Sequence, residues 1–425
     1  MAMLSDAELL LGLSRHLSAY SMGPDRAALE NLEFAGWVFD MAFRIRGSTT
    51  STADRVRAIG LDVGLGPRSL RAVIATMEQL GWLTVVRDSD GAPVSVNERI
   101  TAPGDLIAQA PNVLAIVLPS DCEVACLALL RATTLQPLER SDAMQRAADA
   151  AGGAEQAADE ALRRLTATNL VRRVVVDDGR EVLYNPNVWT QGDSIASAAL
   201  RAADARATTE VGALLEEVAA SPGLPEARVT STNERWVHFA VAHGLVQRSL
   251  IQTVDGTERG FLFTPHLNRD PFGATAGDAS GQVRQLVGSM IYATSFARFR
   301  LDDPAVFLRS LIRRGVAGNA SPIGTDYPML ETAGIVRVVP GRSEDRFAME
   351  LLQSEIAEEA VTLLEGRGAG RGSASARPLS GQTGYTHIER DRARLATQII
   401  VDEAETARLM SALREAATDP FGGTR

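Results

Sequence analysis

The side chains with the most chemistry to offer in this 425-residue chain are arginines, and all 43 of its basic residues are of that type, since lysine is absent. Three groups stand out by spacing. Arg55 and Arg57 precede Arg68, Ser69 and Arg71; Thr232 and Asn233 lead to Arg235; and Arg313 adjoins Arg314. A guanidinium pairs bidentately with a phosphate or a guanine edge, which is worth ~1–3 kcal/mol of base discrimination when well placed, and neighbouring hydroxyl and amide groups add donors. The missing lysine removes the P-loop phosphate ligand, Schiff-base chemistry and the protein-kinase strand lysine.

Little else has catalytic character. The five histidines, His16, His238, His243, His266 and His387, form no HExxH pattern and pair with no CxxC, and no GxSxG occurs. Trp236, Phe239, Ala240 and His243 have the spacing of a buried helix face, so His238 and His243 read as ordinary helix residues rather than metal ligands. Cys122 and Cys126, four apart in DCEVACLALLRAT, share a helix face and fit small core residues better than a metal or redox pair. The loop DPFGATAGDASGQ, residues 270–282, has glycines but neither the lysine nor the preceding parallel-strand unit of a nucleotide-binding loop. The expectation is a non-enzyme with no catalytic residue, no metal and no cofactor.

The length predicts two to four domains, at about 100–200 residues each. No apolar run reaches the ~18 residues of a membrane span, and the N-terminal MAMLSDAELLLGLSRHL reads as a short amphipathic helix rather than a secretory signal. A cytoplasmic, nucleoid-associated protein is expected. The formal charge of −10 opposes general attraction to nucleic acid, so contact with it must come from local patches. Abundant alanine with arginine in place of lysine is the composition of a GC-rich bacterial genome.

The arginine groups sit within a recurring shape. QLGWLTVVRDSDGAPVSVNE, ATNLVRRVVVDDGREVLYNP, AHGLVQRSLIQTVDGTERGFLFTP and TAGIVRVVPGRSEDRFAMEL each run from a helix end through an apolar strand and a turn into a second strand. Aligning Gly81, Asn169, Gly244 and Gly334 gives spacings of 88, 75 and 90 residues, a domain-sized repeat. Glycine and asparagine end helices in the left-handed conformation, and the Asp-Gly pairs at 90–91, 178–179 and 255–256, with Gly341 to Asp345 in the last copy, are turn signals. Upstream of the first hairpin, residues 52–60 read as a helix, LDVGLGP as a break, and residues 68–80 as a second helix with Leu70, Val73, Ile74, Met77 and Leu80 on one face. Pro67 suits that helix's first turn.

Helix, glycine-bearing turn, helix and two-stranded hairpin together resemble the winged helix-turn-helix family, most closely in GLGPRSLRAVIATMEQLGWLTV. The resemblance covers residues 28–365 and implies a mainly α fold with small β-hairpins, an α+β tandem array of four winged-helix units at 28–105, 106–190, 191–268 and 279–365. Around it are placed an N-terminal helix at 1–27, a flexible Gly/Ser/Arg linker at 366–386 and a C-terminal helix at 387–418 that docks back on the body or pairs with a second subunit. Segments 28–46, 121–133, 194–220 and 279–297 read as connecting helices. It implies a double-stranded DNA partner, with the second helix of each pair reading the major groove.

The copies differ in their fitness for that role. The first carries Arg68, Ser69, Arg71, Ala72 and Thr76 opposite its apolar stripe, with Arg55 and Arg57 on the preceding helix. In the second, Glu155, Asp159 and Glu160 would face phosphates and be repelled, which suits packing or a protein partner. The third offers Thr232, Asn233 and Arg235 with Ser231 as cap, and the fourth has Arg309, Arg313 and Arg314 before a short helix interrupted by Pro328, which suits a structural cap. A bacterial transcriptional regulator is the leading expectation. The alternative is a non-catalytic scaffold or accessory subunit of a DNA-processing or defence complex.

Overall fold

A computed structural model of the chain describes residues 5–135, 137–176, 179–185, 206–264, 280–367, 381–398, 404, 406–408, 410 and 411. The class is α+β, with helices around small antiparallel sheets. Two helices, α1 (Asp6–Leu17) and α2 (Pro24–Ala27), precede four passages through one element order. The first passage is α3 (Glu30–Ile45), β1 (Thr50–Thr52), α4 (Ala53–Val63), α5 (Pro67–Gln79) and the hairpin β2 (Leu83–Arg87) and β3 (Pro93–Glu98). After α6 (Pro103–Ile107) and α7 (Ala110–Val117) come α8 (Asp121–Leu135), β4 (Leu138–Glu139), α9 (Arg140–Ala150), α10 (Glu155–Ala167), β5 (Arg172–Val175) and β6 (Glu181–Tyr184). The third passage is α11 (Arg206–Ala220), β7 (Leu224–Pro225), a 3-10 turn at Glu226–Arg228, α12 (Glu234–Ala242), β8 (Gln247–Thr253) and β9 (Glu258–Phe263). Helix α13 (Gln282–Ser295) leads to α14 (Pro304–Arg314), β10 (Val316–Ala320), a 3-10 turn at Ser321–Gly324, α15 (Pro328–Thr332), β11 (Val336–Pro340) and β12 (Phe347–Leu351). The chain then forms α16 (Ser354–Gly366), β13 (Gln382–Thr386) and α17 (Ile388–Gln398).

The punctuation expected of the repeat is present in the backbone. Gly81, Asn169, Gly244 and Gly334 have φ of 73°, 55°, 74° and 72°, and the hairpin tips at Gly91, Gly179, Gly256 and Asp345 are left-handed as well, at 79°, 79°, 77° and 60°. In three sheets the hairpin's second strand is central and pairs on its other side with the short strand after the first helix, in orders β1-β3-β2, β4-β6-β5 and β10-β12-β11. The short strands carry no periodic signal, since TST, LE and LP are ordered by their ladder partners rather than by their own sequence.

Several expectations change. The segments read as connectors at 28–46 and 121–133 are the opening helices α3 and α8 of the first two passages, and residues 206–220 open the third; residues 186–205 lie outside the described set. Helix α4 runs three residues past Gly60, to Val63. Pro328 starts α15 as its first residue instead of interrupting it. Residues 382–386, placed in the linker, are strand β13, which covers the free edge of β8 in a four-stranded sheet of order β13-β8-β9-β7. The rest of that linker, 368–380, and most of the 270–282 loop lie outside the described residues, as do Ile399, Ile400, Leu409 and Leu413 of the expected C-terminal stripe. Helix α17 docks on the body, burying Ile388, Ala393 and Leu395. Among the described residues no helix is long and apolar enough to cross a membrane.

Helix α1, expected as a short amphipathic helix, is buried over most of its circumference and packs against α3, α8 and α17. Its His16 Nε2 lies 2.7 Å from the Thr168 carbonyl at the end of α10, a contact made by the neutral ring. Burial lowers the His16 pKa to about 4 from an ordinary 6.5. A group whose native pKa is lowered in this way binds its proton first in the unfolded chain, so stability falls as pH drops from 6.5 towards 4. The contribution gone by pH 5 is about 2 kcal/mol for this residue. His243 and His387, whose charged forms desolvation also disfavours, add to the same acid limb. Urea midpoints at pH 8 and pH 5 should therefore fall less for His16→Gln than for the parent, and equal falls would exclude His16 from the acid response.

Two further contacts tie the passages together. Glu123, 2% exposed, accepts from Ser120 N and Oγ at its own helix start, and from Asn31 N, Asn31 Nδ2 and Leu32 N at the start of α3. One carboxylate thus serves the positive ends of two helices. At the other end of α3 the Phe43 carbonyl accepts from Gln282 Nε2 at 3.4 Å and Gln353 Nε2 at 3.0 Å, and the same amides donate to the Ala333 and Gly334 carbonyls.

Candidate nucleic-acid interface

The helix pair of the first passage is set by local devices. Thr52 Oγ1 accepts from Arg55 N at 3.3 Å to cap α4, Gly64 ends it at φ 91°, and Pro67 begins α5. Val73, Thr76 and Met77 are buried, so Thr76, expected on the exposed face, belongs to the core side. Arg68 and Arg71 are exposed and make no ion pair among the described residues; Ser69 between them is half-buried. Three residues apart on a helix of 3.6 per turn, the two guanidiniums project from one side. Arg57 is exposed on α4 and bridged to Asp54 at 2.7 Å, a fully solvated pair that contributes little to stability.

Arg55 does not join them. Two positions before Arg57, it projects from the opposite side of α4, where burial and then Arg337 lower its pKa, with Glu331 and Glu350 nearby. Its Nε and Nη2 are enclosed without a hydrogen-bond partner. This half-buried arginine faces the fourth passage.

Between α5 and the β2–β3 hairpin runs a groove of 510 Å3 whose walls include Leu61, Leu70, Ile74, Val85 and Val96 and whose rim includes Arg57, Arg71 and Arg87. Leu61 is 66% exposed and Val94 on the hairpin 50%. Sequence reasoning missed both the groove and Arg87, although Val94 next to Pro93 on an outward strand position was a legible hint. Of the acidic hairpin tip, Asp88 is engaged by its own turn, its Oδ1 accepting from Asp90 N at 3.0 Å and Ala92 N at 2.8 Å, while Asp90 is exposed.

The other predicted residues are scattered. In the third passage Asn233, not Ser231, caps α12, accepting from Trp236 N at 3.4 Å, while Ser231 N donates to Glu217 at 3.0 Å. Thr232 Oγ1 donates to Glu210 at 2.6 Å, and the exposed Arg235 lies 5.0 Å over the Trp236 ring. Trp236, Val237, Phe239, Ala240, Val241 and Ala242 are all buried, so this helix meets solvent through its first turn and the half-buried His238. His243 packs against Phe239 with ring centroids 4.2 Å apart and tilted by 31°, and contacts Thr406 Oγ1 at 3.1 Å, an ordinary core residue as expected. Arg313 and Arg314 are exposed in the last turn of α14, where they complement the helix dipole, while Arg309 pairs with Glu365. Helix α15 buries Met329 and Leu330 and presents no arginine. In the second passage Glu160 is bonded to Arg163 and Arg164, and the hairpin packs on the third passage through Val174, Val182 and Tyr184. Cys126 is buried and Cys122 half-buried.

No protein-family model matches the chain, and no curated protein matches it.

Proposed function

We propose that the chain is a DNA-binding protein of the bacterial transcription-regulator kind, built from tandem winged-helix units of which the first engages the duplex. The observation that carries this reading is the pair Arg68 and Arg71, exposed, unpaired among the described residues and on one side of the second helix of a capped helix pair. Arg57 and Arg87 flank them, and the hairpin stands beside the helix where a wing would follow the backbone. The third and fourth units serve as framework in this reading. Arg235, Arg313 and Arg314 add peripheral phosphate contacts, and Arg55, Thr232 and Asn233 hold structure. The protein uses no cofactor and performs no catalysis.

Fluorescence anisotropy on a labelled random duplex tests this across a salt series. Arg68→Ala with Arg71→Ala should weaken binding sharply and reduce the slope of log K against log salt by about 2, roughly one for each guanidinium taken away from a phosphate. Unchanged affinity with an unchanged slope would remove these residues from the interface. The apolar groove beside Arg71 favours a second reading, a winged-helix scaffold in a larger DNA-processing or defence assembly. Absence of duplex binding at micromolar protein and low salt would favour it.

A further inference from the structure

Beneath the turn joining α4 to α5 lies a second, polar cavity of 380 Å3, walled by α1, α3, the end of α4 and the segment after β13. Four guanidiniums line it, Arg15, Arg26, Arg44 and Arg390, against the two carboxylates Asp40 and Asp62. Arg15 and Arg44 are held by Asp40, Arg44 also by Asp62 at 2.5 Å, and Arg26 by Glu33 outside the lining. That leaves Arg390 exposed at the mouth with no ion pair among the described residues. Half-buried Trp37 forms one wall, and Tyr385 meets the His387 ring edge-on at 4.9 Å on another. His387 Nε2 lies 3.2 Å from Arg44 Nη2 and accepts from it, since a guanidinium only donates.

We propose that this cavity binds a nucleoside monophosphate, with its phosphate at Arg390 and its base against Trp37. The surplus of positive charge repels cations and attracts a compact anion. An aliphatic anion would leave the Trp37 face unused, whereas a base stacks on it. The volume lies near the lower end of the ~300–1,000 Å3 of small-molecule sites, which suits one nucleotide rather than two. Leu61, Asp62 and Gly64 belong to the lining, so a bound nucleotide touches the turn that positions α5. The site does not depend on duplex binding.

Calorimetry of the full chain with AMP, CMP, GMP and UMP tests it, with adenosine and inorganic phosphate as half-ligands. At least one monophosphate should bind and both half-ligands should bind much more weakly. Arg390→Glu, at an exposed position that leaves folding intact, should weaken the nucleotide by about tenfold or more, and Trp37→Leu should weaken it while bringing its affinity towards that of phosphate alone. The proposal is overturned if none of the four binds at millimolar concentration, if adenosine or phosphate binds as tightly as the nucleotide, or if Arg390→Glu binds like the parent. Because the readout is heat of nucleotide binding, failure of Arg68 and Arg71 to contact DNA would leave it unaffected.

Discussion

Substituting Asp40 by asparagine is expected to cost the folded protein about 3–5 kcal/mol, the range for removing one partner of a buried ion pair. The carboxylate is 3% exposed and accepts from Arg15 Nε at 3.1 Å, Arg15 Nη2 at 3.2 Å and Arg44 Nε at 2.7 Å. Asparagine keeps the shape and removes the charge, leaving two buried guanidiniums to repel each other. Both carry long-range duties, Arg15 donating to the Ser280 carbonyl at 2.8 Å and Arg44 to the Thr332 carbonyl at 3.3 Å, so the substitution loosens α1, α3 and the fourth passage together. Burial alone would raise the Asp40 pKa, but Arg15 and Arg44 outweigh it and hold the carboxyl well below the usual carboxylate range. Its stabilising contribution is therefore complete at neutral pH and is lost as pH falls below about 4, where the unfolded carboxyl takes up a proton. Urea unfolding should show the gap between parent and Asp40→Asn narrowing from pH 7 to pH 3. A deficit below about 1 kcal/mol at pH 7 would contradict the charge argument.

Gly334→Ala is expected to be nearly as damaging, by about 3 kcal/mol or more as for a buried steric defect, whereas Gly81→Ala at the aligned position should cost only about 1–2 kcal/mol. The two glycines have almost the same conformation, φ 72° and 73°. They differ in what a Cβ would meet. At Gly81 nothing lies within 4 Å, and at Gly334 the Arg44 carbonyl oxygen would be 1.9 Å away, backbone that cannot swing aside. Gly81→Ala therefore measures the left-handed penalty, and the excess at Gly334 measures the close approach of α15 to the end of α3. The Gln282 and Gln353 amides that share the Phe43 carbonyl would be strained by the same shift. Thermal or urea midpoints check the comparison, and equal losses at the two positions would show that the α3 contact yields without cost.

Asn169 and Gly334 were legible as caps because a left-handed residue is a local requirement that glycine and asparagine meet cheaply. Arg68 and Arg71 were legible as one exposed face because Val73 and Met77 define the buried one at helical spacing. Arg55, two residues from Arg57, lies on another face of the helix, as the helical period requires. Thr232 and Asn233 carry structural contacts that the pattern did not foretell. Hydroxyl and amide side chains serve a cap or an acidic neighbour as readily as a ligand, and Glu210, twenty-two residues before Thr232, is invisible to a local pattern.

The hairpin AHGLVQRSLIQTVDGTERGFLFTP shows the division most clearly. Its cap at Gly244, its turn at Gly256 and its two strands follow from residues within a few positions of one another, and so were determined by the sequence alone. Its surroundings were not. Strand β13 pairs with β8 through Tyr385 opposite Ile251, and Asp391 holds Arg248 at 2.8 Å, both from beyond a segment of low complexity. Turn chemistry and helical period are local energies that a short window contains, whereas which edge or face remains free depends on residues more than a hundred positions away that compete to bury it. Local sequence therefore specified four similar passages, and tertiary packing decided that most of strand β8 and the end of β9 in the third hairpin are buried, with its tip at 254–256 exposed, while Arg68 and Arg71 of the first remain in solvent.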